Sequence, residues 1–507
     1  MDLIDLDPRS SVGPPLAVET HISVVMLFGS RAWKLCKPVD VGFLDLRRVQ
    51  DRRAVLHREL EVNRRFAPDI YLGILDLVDE AGAVVDHALV MRRLPAAARL
   101  ATIIRPGGAE PTVQLDAVRQ VARRVAAIHA AAPRPPAALE AASPPRLAQN
   151  WADNLAVLAG HDPGDERIRR IEALTAQFLQ GREALFKARA AAGKAIDGHG
   201  DLLADDIFCL PDGPRILDCL AFRDDYRYGD VLLDAAFLAM DLERLGRAEL
   251  AGRFLDWYQE FSGEQHPVAL AHFFVAYRAS VRAKVSCLRV QQGENDAKAD
   301  LHGYVEQCLS HLERARIRIV MVGGPPGTGK STVARSLARS TGWVLLRSDE
   351  LRPTTTGPTP TAGASIHAGA SFDAGASFDA GMDAGRYGQA GRDGVYRELR
   401  RQAEVAAGLG HSVILDATWA DAGQREQLRQ GAERAGADLV ELCLRVPLAV
   451  AQARVSERRA LGEDPSEVTA ELVPALTERF EPWPEAVELD GQADPAAACR
   501  IPGVGPW

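Results

Sequence analysis

Two β-type runs, over residues 21–28 and 31–37, flank a Gly29-Ser30 break and predict a hairpin. A charge-dense helical pattern follows over 49–65, and then strand-like runs over 71–77 and 88–94. From residue 115 the period changes. Apolar residues recur at helical spacing over 115–131, 145–159 and 165–192, with a proline-rich turn over 133–145. A short hairpin-like stretch occupies 198–219, its second strand over 215–219. Helical periodicity resumes over 231–245, 248–261 and 267–312, the last interrupted near Gly293. The first 315 residues therefore read as one domain, with a small β-rich lobe over about 15–95 and a helical lobe over about 96–315.

Residues 316–507 follow a different pattern. A buried strand over 317–322 leads into a helix over 331–339, and strands over 343–349, 412–416 and 439–446 follow, with a helix over 448–461. Strands alternating with helices predict an α/β domain with a mainly parallel sheet. Within it, residues 354–391 are of low complexity. A unit beginning Ala-Gly-Ala-Ser repeats at 362–367, 368–373 and 374–379. That composition lacks the apolar density of a core, so it reads as an expanded loop, with Phe372 and Phe378 its largest side chains. The tail from about residue 490 reads as irregular.

Candidate chemistry sharpens this outline. Gly324-Pro325-Pro326-Gly327-Thr328-Gly329-Lys330-Ser331 fits the phosphate-loop spacing G-x-x-x-x-G-K-[ST] without a mismatch, and it sits between a strand and a helix. Backbone N–H groups at Gly324, Gly327, Thr328 and Gly329 would wrap a phosphate at the positive end of that helix, with Thr332 beside them. Lys330 would reach the outer phosphate oxygens, and the Ser331 hydroxyl would hold Mg²⁺. Asp416 ends an apolar strand, the arrangement that holds the same cation. ATP and Mg²⁺ are thus the expected cofactors.

Composition and charge exclude other classes. The chain has 507 residues, 47% hydrophobic and 25% charged, with a net charge of −9. That balance argues against a long nucleic acid or an anionic membrane as partner. No apolar run approaches the roughly 20 residues of a membrane helix. The seven cysteines lack C-x-x-C spacing, which suits a reducing compartment. The acidic N-terminus lacks the apolar core of a signal peptide, so a cytoplasmic location is expected. The oligomeric state is left open.

The first domain carries a second set of candidates. Lys34 shares a strand face with Ala32, whereas Lys37, the competing lysine, points the other way. An A-x-K strand is how kinase-like folds present the lysine that holds the α- and β-phosphates. On the helix over 49–65, Glu59 or Glu61 would pair with it, and Glu59 is preferred. Asp201, Asp206 and Asp218 flank a short hairpin. A phosphotransferase needs one carboxylate to accept the proton of the acceptor hydroxyl and two further groups to hold Mg²⁺. Asp201 fits the first task, and Asp206 and Asp218 fit the others.

His199-Gly200-Asp201 with Asp218, followed by Gly229-Asp230 and Asp234, resembles the aminoglycoside phosphotransferase and choline-kinase group. The segments at 34–45, 91–95, 229–244 and 277–284 resemble one subgroup more closely, and the similarity runs nearly end to end. That subgroup is the bacterial two-domain proteins known as bifunctional aminoglycoside phosphotransferase/ATP-binding proteins. The chain departs from the wider group at Asp206, where Asn is usual, and near Ala221, where a Glu is often found. The second domain resembles small-molecule kinases of the gluconate-kinase and zeta-toxin type. That resemblance implies Asp349 as general base, Arg352 as an acceptor-binding residue, and Thr418 and Arg425 as further family positions. It also implies a lid helix with Arg454, Arg458 and Arg459, of which Arg458 is chosen to stabilise the transferring phosphoryl group. Residues 463–466 resemble the loop after that lid.

The implied activity is transfer of the γ-phosphoryl group of ATP to the hydroxyl of a small molecule: a sugar, an aminoglycoside or a related metabolite. Two alternatives stay open at this level. One or both domains could bind nucleotide as a regulatory module without turnover. The second domain could instead act as a zeta-toxin-like or polynucleotide-end kinase.

Overall fold

The computed structural model describes residues 16–19, 22–40, 45–351, 389–461 and 468–504. Two compact units are formed. The first takes in Met1–Thr175, Phe186–His266 and Leu270–Ala315; the second takes in Ala176–Leu185, Pro267–Ala269 and Arg316–Trp507.

The first unit begins with β1 (Leu16–Glu19), β2 (Ser23–Phe28) and β3 (Arg31–Cys36), continues through helix α1 (Val49–Asn63), and returns as β4 (Tyr71–Val78) and β5 (Val84–Arg92). These strands make one antiparallel sheet in the order β1-β2-β3-β5-β4. Gly29, at φ 50°, supplies the left-handed turn between β2 and β3. Leu56 of α1 is buried with Leu46, Ile70, Tyr71 and Leu89, so the helix presents its Glu59 and Asn63 face to the interior. The strand β1 has no counterpart in the sequence pattern, because its four residues fall below the length at which alternation is legible.

The helical lobe contains α2 (Leu100–Ile104), α3 (Pro111–Ala131), α4 (Pro136–Ala141), α5 (Pro144–His161), α6 (Glu166–Gly181) and α7 (Glu183–Ala191). The helix expected over 165–192 is therefore two. Gly181 ends the first, and the guanidinium of Arg182, fully buried in the second unit, donates to the carbonyls of Gly181, Ala435 and Gly436. The turn expected over 133–145 holds α4, started by Pro136, whose missing N–H is harmless in a first helical turn.

Two small antiparallel pairs come next, β6 (Ala195–Asp197) with β9 (Tyr228–Asp230), and β7 (Ile207–Leu210) with β8 (Gly213–Ile216). The strand expected to reach residue 219 stops at Ile216. The backbone then turns, and Asp218 sits at φ 61°. Helices α8 (Val231–Arg244), α9 (Ala248–Ser262), α10 (Val268–Gln291) and α11 (Ala297–Ala315) complete the lobe, with the break at Gly293 between the last two.

The loop after β6 is braced from below. Asp234 of α8 is buried, and its carboxylate accepts the N–H groups of His199 and Gly200, each at 2.8 Å, and pairs with His129 Nε2 at 3.1 Å. Burial acts to raise this carboxyl, but the hydrogen bond and charge of His129 outweigh it and hold the group well below the usual carboxylate range.

The second unit is a parallel five-stranded sheet. Its elements in chain order are β10 (Arg318–Gly323), α12 (Lys330–Thr341), β11 (Val344–Arg347), α13 (Gln389–Gly408), β12 (Val413–Asp416), α14 (Ala422–Arg434), β13 (Asp438–Arg445), α15 (Leu448–Leu461), α16 (Val473–Glu478) and β14 (Val487–Asp490). Strand order is β11-β12-β10-β13-β14, with every pairing parallel. Central β10 is buried throughout, which is why it reads as an unbroken apolar run. The low-complexity stretch up to residue 388, with Phe372 and Phe378, lies outside the described residues, as do Arg352 and residues 462–467.

Just before the tail, β14 closes the sheet edge, a strand that the sequence pattern did not mark. Among the described residues beyond it the tail holds only a short 3-10 turn, Pro495–Arg500, yet Ala498 and Val504 are buried in the same core as Val320, Leu337, Ile414 and Leu444. Its proline and glycine content, with four-residue β14, hides this from a periodicity reading.

Among the described residues no helix is long and apolar enough to cross a membrane. Two stability outcomes follow. Val504→Asp buries an unpaired carboxylate and should lower the denaturation free energy of the second unit by about 3 kcal/mol or more; an unchanged midpoint in a denaturant titration would show that the tail is not part of that core. Asp234→Asn strips charge from a buried network and should cost the first unit about 3 kcal/mol, read in the same titration as an earlier first transition.

Candidate functional site

In the first unit the fold converges Lys34, Glu59 and Asp218. Lys34 lies on β3 and its Nζ donates to Glu59 Oε1 of α1 at 2.7 Å and to Asp218 Oδ1 at 3.2 Å. Glu61, the alternative carboxylate, faces solvent and pairs with Arg58 at 2.8 Å. Lys37 pairs with Glu19 at 2.5 Å. Burial works to lower the Lys34 ammonium, yet the charges of Asp218 and Glu59 outweigh it and keep it well above its ordinary range. The neighbouring Lys34 holds Asp218 below its usual value.

Asp218 is positioned by its backbone. Its N–H donates to the Tyr71 hydroxyl at 3.0 Å, and the next N–H, of Cys219, donates to Asn63 Oδ1 at 2.8 Å. His199 completes the clamp, its Nε2 meeting the Leu217 carbonyl at 2.9 Å. The Asp218 side chain is 60% exposed although the backbone around it is held on every side. That combination describes an exposed carboxylate on a fixed backbone, available to a ligand.

Asp201 and Asp206 lie on the loop between β6 and β7. Burial pushes the Asp201 carboxyl up to about 6, with Arg282 opposing and Asp218 adding to the rise. Asp206 is pushed well above its usual value by burial and by the charges of Asp218, Asp201 and Asp205. Mutual repulsion of this kind is relieved by a cation. No three His, Cys, Asp or Glu side chains converge as a closed metal cage among the described residues. A cage is not required for Mg²⁺, which takes one or two carboxylates and completes its shell with water and substrate phosphates.

The second unit has a cavity of about 610 Å³ at the carboxyl ends of its strands. Gly327, Gly329, Lys330, Ser331 and Thr332 line one wall, Asp349 and Asp416 another, and Arg454 and Arg458 a third. Thr418 also lines it, whereas Arg459 does not. Gly324 and Thr328 are not among the lining residues. Gly324 donates its N–H to the Thr418 carbonyl at 3.1 Å, and the Thr328 hydroxyl donates to the Pro325 carbonyl at 2.8 Å. They shape the loop from beneath.

The loop is a cradle that only glycine can form. Gly324, Gly327 and Gly329 have φ of 134°, 81° and 97°. A Cβ on Gly327 would run into the carbonyl of Ala451, and one on Gly324 into that of Leu444. Lys330 Nζ donates to the Pro325 carbonyl at 2.9 Å. Burial lowers this ammonium, against the charges of Asp416 and Asp349.

Asp349 lies in the turn after β11, two residues beyond the strand's end. Arg425, named above only as a family position, lies apart from the cavity. It is buried, donates to the carbonyls of Trp419, Ala420 and Pro482, and lies over the Trp483 ring. Its task is to hold the chain after β12. Sequence reasoning missed Arg347, whose Nε donates to Asp416 Oδ2 at 3.2 Å, and Gly491 of the tail, which also lines the cavity. An arginine two positions before Asp349 was the available signal for the first. Nothing local marks the second.

Residues 43–272 match the family described as "Phosphotransferase enzyme family", and residues 319–483 match the family described as "AAA domain". An uncharacterized protein of Mycobacterium tuberculosis is 39% identical over 479 residues, covering 93% of this chain and 91% of its own, and one of Mycobacterium bovis matches equally. Among solved structures, a choline/ethanolamine kinase family protein from Mesorhizobium loti is 16% identical with a TM-score of 0.38, covering 61% of this chain and 91% of its own. The APS kinase of Mycobacterium tuberculosis is 21% identical with a TM-score of 0.25, covering 36% and 92%. Full-length identity to the mycobacterial proteins, together with a phosphotransferase region followed by a glycine-cradled phosphate loop, establishes the family: the chain belongs to the bacterial two-domain proteins that fuse an aminoglycoside-phosphotransferase-like domain to a P-loop, small-molecule-kinase-like domain.

Proposed function

We propose that the chain is an ATP-dependent phosphotransferase with two sites, each moving the γ-phosphoryl group to a hydroxyl of a small molecule. The observation that carries this reading is the cavity in which the phosphate loop, Asp349, Asp416 and Arg458 meet. Its loop suits a phosphate chain, since it leads into the N-terminus of α12, where backbone N–H groups favour an anion, and its positive-φ path excludes a Cβ, which at Gly327 would strike the Ala451 carbonyl.

In this site Gly327, Gly329, Lys330, Ser331 and Thr332 would hold the phosphates, and Ser331 with Asp416 would hold Mg²⁺. Mg²⁺–ATP, when bound, supplies the phosphoryl group and the cation that neutralises it. Asp349 would take the proton of the acceptor hydroxyl. Arg458, on α15, would face the charge that develops during transfer.

In the first domain Lys34, fixed by Glu59, would hold the inner phosphates, and Asp218 and Asp206 would hold the cation. Asp206 standing in place of the family's usual Asn adds a charge that a cation would balance. Asp201 would be the base. Its value of about 6 suits that task, because the group is ionised at neutral pH yet retains a useful affinity for a proton. The acceptor is expected to be a hydroxylated small molecule such as a sugar or an aminoglycoside, an idea that the family name supplies.

The test is a screen of sugars, amino alcohols and aminoglycosides with γ-labelled ATP, with Asp201→Asn and Asp349→Asn silencing one site at a time. Each variant should lose one set of labelled products and keep the other; retention of every product in both variants would refute the two bases. In the Asp349→Asn chain, transfer should also fall as pH drops below about 6, because Asp201 once protonated is too weak a base to take the hydroxyl proton. A rate that stays level to well below pH 6 would remove Asp201 from the role.

A further inference from the structure

Arg347 lines the second unit's cavity together with Asp416 and Asp349. It is the last residue of β11, and the parallel register sets it against Asp416, the last residue of β12. Its Nε donates to Asp416 Oδ2 at 3.2 Å, and its Nη1 donates to Glu350 Oε1 at 2.8 Å. Glu350 is the neighbour of Asp349 in the turn beyond the strand. The same turn is tied to β12 by its backbone, since the Ser348 N–H donates to the Asp416 carbonyl at 3.0 Å. Arg347 is only 14% exposed and Asp416 only 5%, so water does little to screen their interaction.

We propose that Arg347 is a positioning residue that fixes the Asp416 carboxylate on the cation side of the cavity and the Asp349 turn on its acceptor side. This rests on the roles proposed above for Asp416 and Asp349. The physical reason is competition for one carboxylate. The charge of Asp416 acts on Lys330 as well, and it is the largest influence opposing the effect of burial on that ammonium. A carboxylate free to rotate would swing toward Lys330 and draw it from the phosphate loop, spoiling two ligand contacts at once. The Arg347 guanidinium opposes this by engaging one Asp416 oxygen. Its second arm, on Glu350, makes the distance between the cation side and the acceptor side a property of one rigid guanidinium. Lysine at this position would keep the charge and lose the fork.

The experiment is calorimetric titration of the full chain with ATP, once with Mg²⁺ and once with a chelator, in a Lys34→Ala background that silences the first site. Arg347→Lys and Arg347→Gln are compared with Asp416→Asn. Arg347→Lys is expected to leave metal-free ATP affinity within about twofold while cutting the magnesium enhancement by about tenfold or more, the usual scale for a residue that orients a metal ligand. Arg347→Gln should cut it further. Full enhancement in both Arg347 variants, with enhancement lost in Asp416→Asn, would overturn the inference alone. Full enhancement in Asp416→Asn would overturn the assignment of Asp416 itself, and the role of Arg347 with it.

Discussion

A buried ammonium must be compensated, and the two units solve this in opposite ways. In the first, Lys34 is locked between Glu59 at 2.7 Å and Asp218 at 3.2 Å, and the carboxylates keep it firmly charged. In the second, Lys330 leans on the neutral carbonyl of Pro325, and burial lowers its affinity for a proton. One lysine is held before any ligand arrives; the other has a weak partner that phosphate oxygens would readily replace. Most of the surrounding structure follows from these needs. Helix α1 must bury its Glu59 face, Asp218 must leave its strand, and the phosphate loop must be made of glycines.

Backbone conformation points to the same places. Among the described residues, the non-glycine residues with positive φ are Asp218 at 61° and Trp419 at 56°. The first is itself a site residue. The second is buried three residues after Asp416 and directly after Thr418, which lines the cavity. Left-handed backbone at a residue with a Cβ costs of order 1 kcal/mol and persists only where its surroundings enforce it. The Tyr71 hydroxyl accepts the N–H of Asp218, and the Tyr396 hydroxyl accepts that of Trp419. In each unit, therefore, the strained residue lies at or beside the candidate site.

What was legible in the sequence was whatever obeys a local rule. The phosphate loop has fixed spacing, β10 reads as a buried strand, and the long helices show their period. Lys34 was separable from Lys37 by the strand face each occupies, whereas Glu59 was only preferred to Glu61, and the buried face of α1 is what singles it out. What escaped notice depends on contacts between distant segments. Arg347 gains meaning only when β11 lies beside β12. The tail looks irregular until Val504 is seen in the core of the sheet. Arg425 stood out only as a family position, and its structural role appears once its guanidinium is seen to donate to three backbone carbonyls.

The central claim is that one chain holds two phosphate sites built on different folds, each around its own lysine. It is tested most directly by the stoichiometry of Mg²⁺–ATP binding to the full chain, measured by calorimetry on the native protein and on Lys34→Ala, Lys330→Ala and the double variant. Two nucleotides should bind the native chain, one should bind each single variant, and none the double variant. A single nucleotide on the native chain, abolished by one lysine substitution and untouched by the other, would contradict the account.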